Sequence, residues 1–185
     1  TSIGLAASGT GNILPFIAIN NGTTPVVATI TVTPSANQCG GLPIIFTITV
    51  NPTPIANGVT DQVLCNGDTT AEALFTGTVA GTVFDWTNST TYIGLAGSGT
   101  GNINPFQVFN GINIPVIATI IITPTANGCV GPIISFNITV NPTPLTNPVF
   151  DQTVCNGEVT VQENISGSAL GTTYNWTNDT PSIGL

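Results

Sequence analysis

The feature that most constrains this chain is a 90-residue period that runs through it without a gap. Thr1-Ser2-Ile3-Gly4-Leu5 returns as Thr91-Tyr92-Ile93-Gly94-Leu95 and again as Pro181-Ser182-Ile183-Gly184-Leu185. Ser8-Gly9-Thr10-Gly11-Asn12-Ile13 returns as Ser98-Gly99-Thr100-Gly101-Asn102-Ile103, and Val50-Asn51-Pro52-Thr53-Pro54 as Val140-Asn141-Pro142-Thr143-Pro144. Cys39, Cys65 and Trp86 come back as Cys129, Cys155 and Trp176. Self-similarity at a fixed period marks an array of like units. The unit here is expected to be a domain.

The phase of the period places the boundaries. Asn-Pro-Thr-Pro lacks two backbone donors and resists continuing a strand, so Asn51 and Asn141 should open stiff linkers. Residues 51–140 then form one complete repeat. Residues 1–50 form the C-terminal half of the repeat before it, and 141–185 the N-terminal half of the one after. The chain is expected to be a segment of a longer array, or a subunit whose half-repeats are completed by neighbouring copies.

Within the unit the apolar residues alternate. Ile134, Phe136, Ile138 and Val140 are separated by Ser135, Asn137 and Thr139; Ile44, Phe46, Ile48 and Val50 do the same one repeat earlier. Val26, Ala28, Ile30 and Val32 oppose Thr29, Thr31 and Thr33. A period of two indicates half-buried strands. Phe84 and Trp86, like Tyr174 and Trp176, should point inward, so Trp86, Trp176, Phe136 and Ile138 are the expected core. No helical period competes, and 21 Gly and 14 Pro punctuate the chain. The expected fold is all-β: a tandem of β-sandwich repeats, each of about seven strands.

Charge excludes whole classes of function. The chain has no Lys, Arg or His and eight acids, for a net charge of −8. Nucleic-acid binding needs cations to displace counterions from phosphates, and anionic lipid attracts basic clusters; neither is available. The usual bases that activate Ser, Thr or Cys are missing, and the acids are thinly spread, so no enzyme is expected. Apolar runs such as Val116–Ile122 fall far short of a membrane span, so no direct membrane insertion is expected. Asp61/Asp151 and Asp68/Glu158 recur near the linker, which raises an inter-domain Ca²⁺ site. Calcium takes six or more oxygen ligands, however, and two carboxylates per unit are better suited to turn capping. No catalytic, metal or cofactor site is assigned. The Gly9-Thr10-Gly11-Asn12 stretch lacks the Lys of a phosphate loop and reads as a tight loop or bulge.

Two cysteines per unit, with no histidine and no paired CxxC, indicate disulfides and an oxidising compartment. Two regular schemes exist. In one, Cys65 pairs with Cys129 inside 51–140, and Cys39 and Cys155 find partners outside the segment. In the other, Cys39–Cys65 and Cys129–Cys155 bridge across the linkers. The first staples a single core and is the expected one.

The chain resembles the PKD-like (Ig-like) repeats of giant cell-surface adhesins from Bacteroidota. The segments that carry the likeness are Asp151-Gln152-Thr153-Val154-Cys155-Asn156-Gly157-Glu158, Tyr174-Asn175-Trp176-Thr177-Asn178-Asp179-Thr180 and Ser182-Ile183-Gly184-Leu185. Asn127-Gly128-Cys129 and Val140-Asn141-Pro142-Thr143-Pro144 complete the set. The better-known Trp-Asp-Phe-Gly-Asp-Gly of such domains is replaced by Trp86-Thr87-Asn88-Ser89-Thr90 and Trp176-Thr177-Asn178-Asp179-Thr180. The resemblance implies an Ig-like sandwich, export (typically by type IX secretion), an extracellular place at the cell surface, and a role in adhesion or gliding motility. It also supports the Cys65–Cys129 pairing. The expected function is an extended stalk or filament module whose partners are neighbouring repeats or copies of itself. The rivals are a glycan- or protein-binding module and an accessory array of a secreted hydrolase.

Overall fold

The computed structural model describes residues 3–184; Thr1, Ser2 and Leu185, outermost in the recurring Ile-Gly-Leu motif, lie outside them. The described residues are almost entirely β and irregular, with helix confined to two 3₁₀ turns at Thr91–Ile93 and Pro181–Ile183. Among the described residues no helix is long and apolar enough to cross a membrane.

The strands are β1 (Val26–Val32), β2 (Ser35–Ala36), β3 (Cys39–Gly40), β4 (Ile44–Val50), β5 (Gln62–Cys65), β6 (Val83–Asn88), β7 (Ser98–Thr100), β8 (Val116–Ala126), β9 (Cys129–Val130) and β10 (Ile134–Asn141). The main sheet runs β5-β10-β8-β6-β7, with β9 folded back on β8. All of its pairs are antiparallel except β5 with β10, which run parallel with Asn141 opposite Cys65.

A second, less regular layer faces this sheet. Asn57 N donates to Thr76 O and Thr78 N to Ile55 O, while Ala73 and Ile103 exchange a pair of backbone bonds. Gly67 N donates to Val108 O, and Val108 N returns a bond to Asp68 O. Alternation supplies the core between the layers. Ala118, Ile120 and Ile122 of β8, Phe136, Ile138 and Val140 of β10, and Phe84 and Trp86 of β6 meet Ala73, Phe75, Ile93, Ile103 and Val108. Each such aliphatic or aromatic side chain contributes about 1.5–3 kcal/mol by leaving water. Every buried member of this cluster lies between Ala56 and Val140.

The flanking halves keep local structure but no comparable core. Residues 3–50 hold β1 against β4 in full antiparallel register, Val26 opposite Val50 and Val32 opposite Ile44. In 141–184 the segment equivalent to β6 is not a strand, because the β8-like partner that would pair with it is not in this half.

Candidate functional site: the junction between repeats

The site worth building is where one repeat meets the next. The end of β4 runs directly into Asn51-Pro52-Thr53-Pro54. Asn51 Nδ2 donates to Asn127 O at 2.9 Å, in the turn between β8 and β9. Pro52 and Pro54 are among the fully buried side chains. Gly131, just after β9, is seated so closely beneath Pro54 O that a Cβ would stand 1.8 Å from it. The proline segment was expected to be a stiff linker. The structure shows it docked on the repeat it introduces. Prolines suit such a seat because they present apolar rings and leave no unpaired backbone N–H.

The opposite end of the complete repeat is built from asparagines. Asn66 N donates to Asn141 O, and Asn66 Oδ1 accepts from Asn110 N at 2.8 Å. Asn110 Nδ2 reaches the carbonyls of Ile114 and Val140, at 2.9 and 2.7 Å. Asn66 Nδ2 extends toward Thr143 Oγ1 in the second proline segment. Sequence reasoning passed over this network. The signal was present, since Asn20, Asn51 and Asn66 recur as Asn110, Asn141 and Asn156.

Three of the acids accept backbone hydrogen bonds. Asp68 Oδ2 accepts from Cys65 N and Glu158 Oε2 from Cys155 N, each closing a turn. Asp61 Oδ1 accepts from Asn137 N at 2.7 Å, tying the approach to β5 onto β10. Among the described residues no three His, Cys, Asp or Glu side chains gather as metal ligands would.

The cysteines require a correction. Cys65 ends β5 level with Asn141, at the Val116 end of β8, whereas Cys129 pairs with Ala126 at the other end. β8 is 11 residues long, so the two thiols are on the order of 30 Å apart at ~3.3 Å per residue. A disulfide needs Cα atoms within about 7 Å. The Cys65–Cys129 staple expected within one repeat therefore does not fit this fold, and all four cysteines are free. The reason is topological: the two residues close opposite poles of one sheet.

The expected core residues divide by repeat. Phe136 is 2 % exposed and Ile138 is buried beside it, and Trp86 is 7 % exposed. Trp176, expected to point inward as Trp86 does, is 65 % exposed. Phe46, the counterpart of Phe136, is 41 % exposed, and Ile183 is 70 % exposed where Ile93 is fully buried. Phe136 and Trp86 are covered in the complete repeat where their counterparts Phe46 and Trp176 are bare, although Ile3 and Val50 stay buried in the first flanking half. Neither half buries its sheet by itself.

No protein family, curated protein or solved structure matches the chain.

Proposed function

We propose that this chain is a structural repeat segment of a secreted surface adhesin or filament, built of PKD-like, Ig-like β-sandwich units and acting as an extended stalk. The observation that carries the reading is the docked junction. Asn51 bonds to Asn127, and Pro52 and Pro54 are buried on the repeat that follows them. A junction seated in this way sets the orientation of one unit on the next and favours a rod over a string of free beads. A chain with no Lys or Arg suits an exposed position, since trypsin-like proteases find no cleavage site. Asp68 and Glu158 cap turns and Asp61 ties the approach to β5 onto β10, and no catalytic or cofactor role is assigned to the acids.

The test is the shape of tandem chains. In small-angle X-ray scattering of two, three and four repeats, the maximum dimension should grow by roughly 35–40 Å per repeat, the length of the longest strand at ~3.3 Å per residue. A dimension that stays level as repeats are added rules the stalk out.

A further inference from the structure

We propose that Asn127-Gly128, in the turn between β8 and β9, is a self-modification site. Asn127 deamidates through a cyclic imide, and the product alters the tie that Asn51 makes to that turn.

Four asparagines of the complete repeat are followed by glycine: Asn57, Asn66, Asn110 and Asn127. Glycine carries no Cβ, so its backbone nitrogen can approach the side-chain amide carbon of the residue before it. Asparagine is thermally labile through such chemistry. All four pairs meet the sequence requirement, so the fold decides which of them reacts.

Three are held. Asn57 Nδ2 donates to Thr76 Oγ1 at 2.8 Å. Asn66 Oδ1 accepts from Asn110 N, and the attacking group is itself engaged, since Gly67 N donates to Val108 O at 2.9 Å. Asn110 is buried; its Nδ2 donates to the carbonyls of Ile114 and Val140, and its Oδ1 accepts from Ile112 N. Each bond must open before the amide can swing onto the next nitrogen, and each slows the step.

Asn127 differs on every count. It is exposed, and among the described residues no hydrogen bond engages its side chain or Gly128 N. A Cβ added to Gly128 would meet nothing within 4 Å, so the space beside the glycine is open. The pair sits at φ 49° and 77°, the left-handed geometry for which tight hairpins select Asn-Gly. The turn chemistry that suits the hairpin thus installs the labile pair at the surface.

The step needs only water. Gly128 N loses its proton to solvent and bonds to Asn127 Cγ; the Cγ–Nδ2 bond breaks and ammonia leaves. Water then opens the imide at one of its carbonyls. Opening at Cγ restores the backbone with an aspartyl side chain. Opening at the main-chain carbonyl routes the backbone through Cγ, lengthens the turn by an atom and leaves the old carbonyl as a pendant carboxylate. That carbonyl is the one Asn51 Nδ2 grips at 2.9 Å. The isoaspartyl product therefore moves the grip off the turn backbone and loosens the proline segment from the repeat. The β2–β3 turn has Asn37-Gln38 at the same place, with Gln38 at φ 67°. The glutamine side chain crowds the attacking nitrogen, so that turn is spared.

The experiment incubates the chain in mildly alkaline buffer, folded and in urea. Chymotryptic peptides are then read by electron-transfer mass spectrometry, which separates aspartyl from isoaspartyl products. In the folded chain Asn127 should convert roughly tenfold faster than Asn57, Asn66 or Asn110, a barrier difference of about 1.4 kcal/mol. In urea the four rates should come together. Gly128→Gln, which copies the β2–β3 turn, should slow conversion at Asn127 by roughly tenfold or more. As isoaspartate accumulates, the Asn51 side-chain amide signals in ¹⁵N-resolved NMR should shift in step. Equal rates at the four sites in the folded chain, or one order of rates shared by folded and urea-treated chains, overturn the proposal. Conversion of Asn127 that leaves the Asn51 signals unmoved overturns the link to the proline segment.

Discussion

Asn51 and Asn127 are 76 residues apart in sequence and joined by a 2.9 Å bond from the Asn51 side-chain amide to the Asn127 carbonyl. The first residue opens a proline segment and the second sits in the turn between β8 and β9. Their bond ties the proline segment to the repeat it opens.

Asn51→Ala removes that bond and leaves the carbonyl to water. The complete repeat should lose about 0.5–1.5 kcal/mol. Residual dipolar couplings should show 3–50 and 51–140 reorienting against each other, and couplings that still fit one rigid frame would count against the role given to Asn51.

Gly99 lies opposite Trp86 in the β6–β7 pair, and a Cβ there would fall 2.3 Å from the indole Cζ2. Gly99→Ala should therefore destabilise the complete repeat by about 2–3 kcal/mol, the upper range for overpacking a rigid site. Gly9, the same position one repeat earlier, has nothing within 4 Å of such a Cβ. Gly9→Ala should be near neutral. Urea denaturation followed by tryptophan emission compares the two.

The β2–β3 turn uses Asn37 and Gln38 at φ 51° and 67°, where the β8–β9 turn uses Asn127 and Gly128 at 49° and 77°. A glutamine in the left-handed region carries a Cβ clash of roughly 1 kcal/mol that glycine avoids. Gln38→Gly should slow amide exchange at Gly41, whose N–H is bonded to Pro34 O. Unchanged or faster exchange would mean the turn is not strained.

What the sequence disclosed depended on whether the information was local. The alternation of Ile134, Phe136 and Ile138 was enough to place those side chains inward, because side-chain direction in a strand is a property of neighbouring residues. The same reasoning failed for Trp176, whose burial depends on a strand that lies beyond its own half-repeat. The cysteines failed for a related reason. Spacing along the chain carried no sign that Cys65 and Cys129 close opposite ends of a sheet, since that follows from β5 lying parallel to β10. The asparagine network was legible in principle from its 90-residue recurrence. In a chain so rich in asparagine it did not stand out until the bonds of Asn66 and Asn110 were visible.

The parallel pairing of β5 with β10 also decides how a repeat answers tension. A pull applied at Asn51 and Asn141 drags Gln62 and the end of β10 in opposite directions along their own axes. The hydrogen bonds of that ladder then carry the load in shear, all at once, instead of unzipping one after another. A unit threaded in this way resists extension at its first and last strands, before its hydrophobic interior is ever exposed.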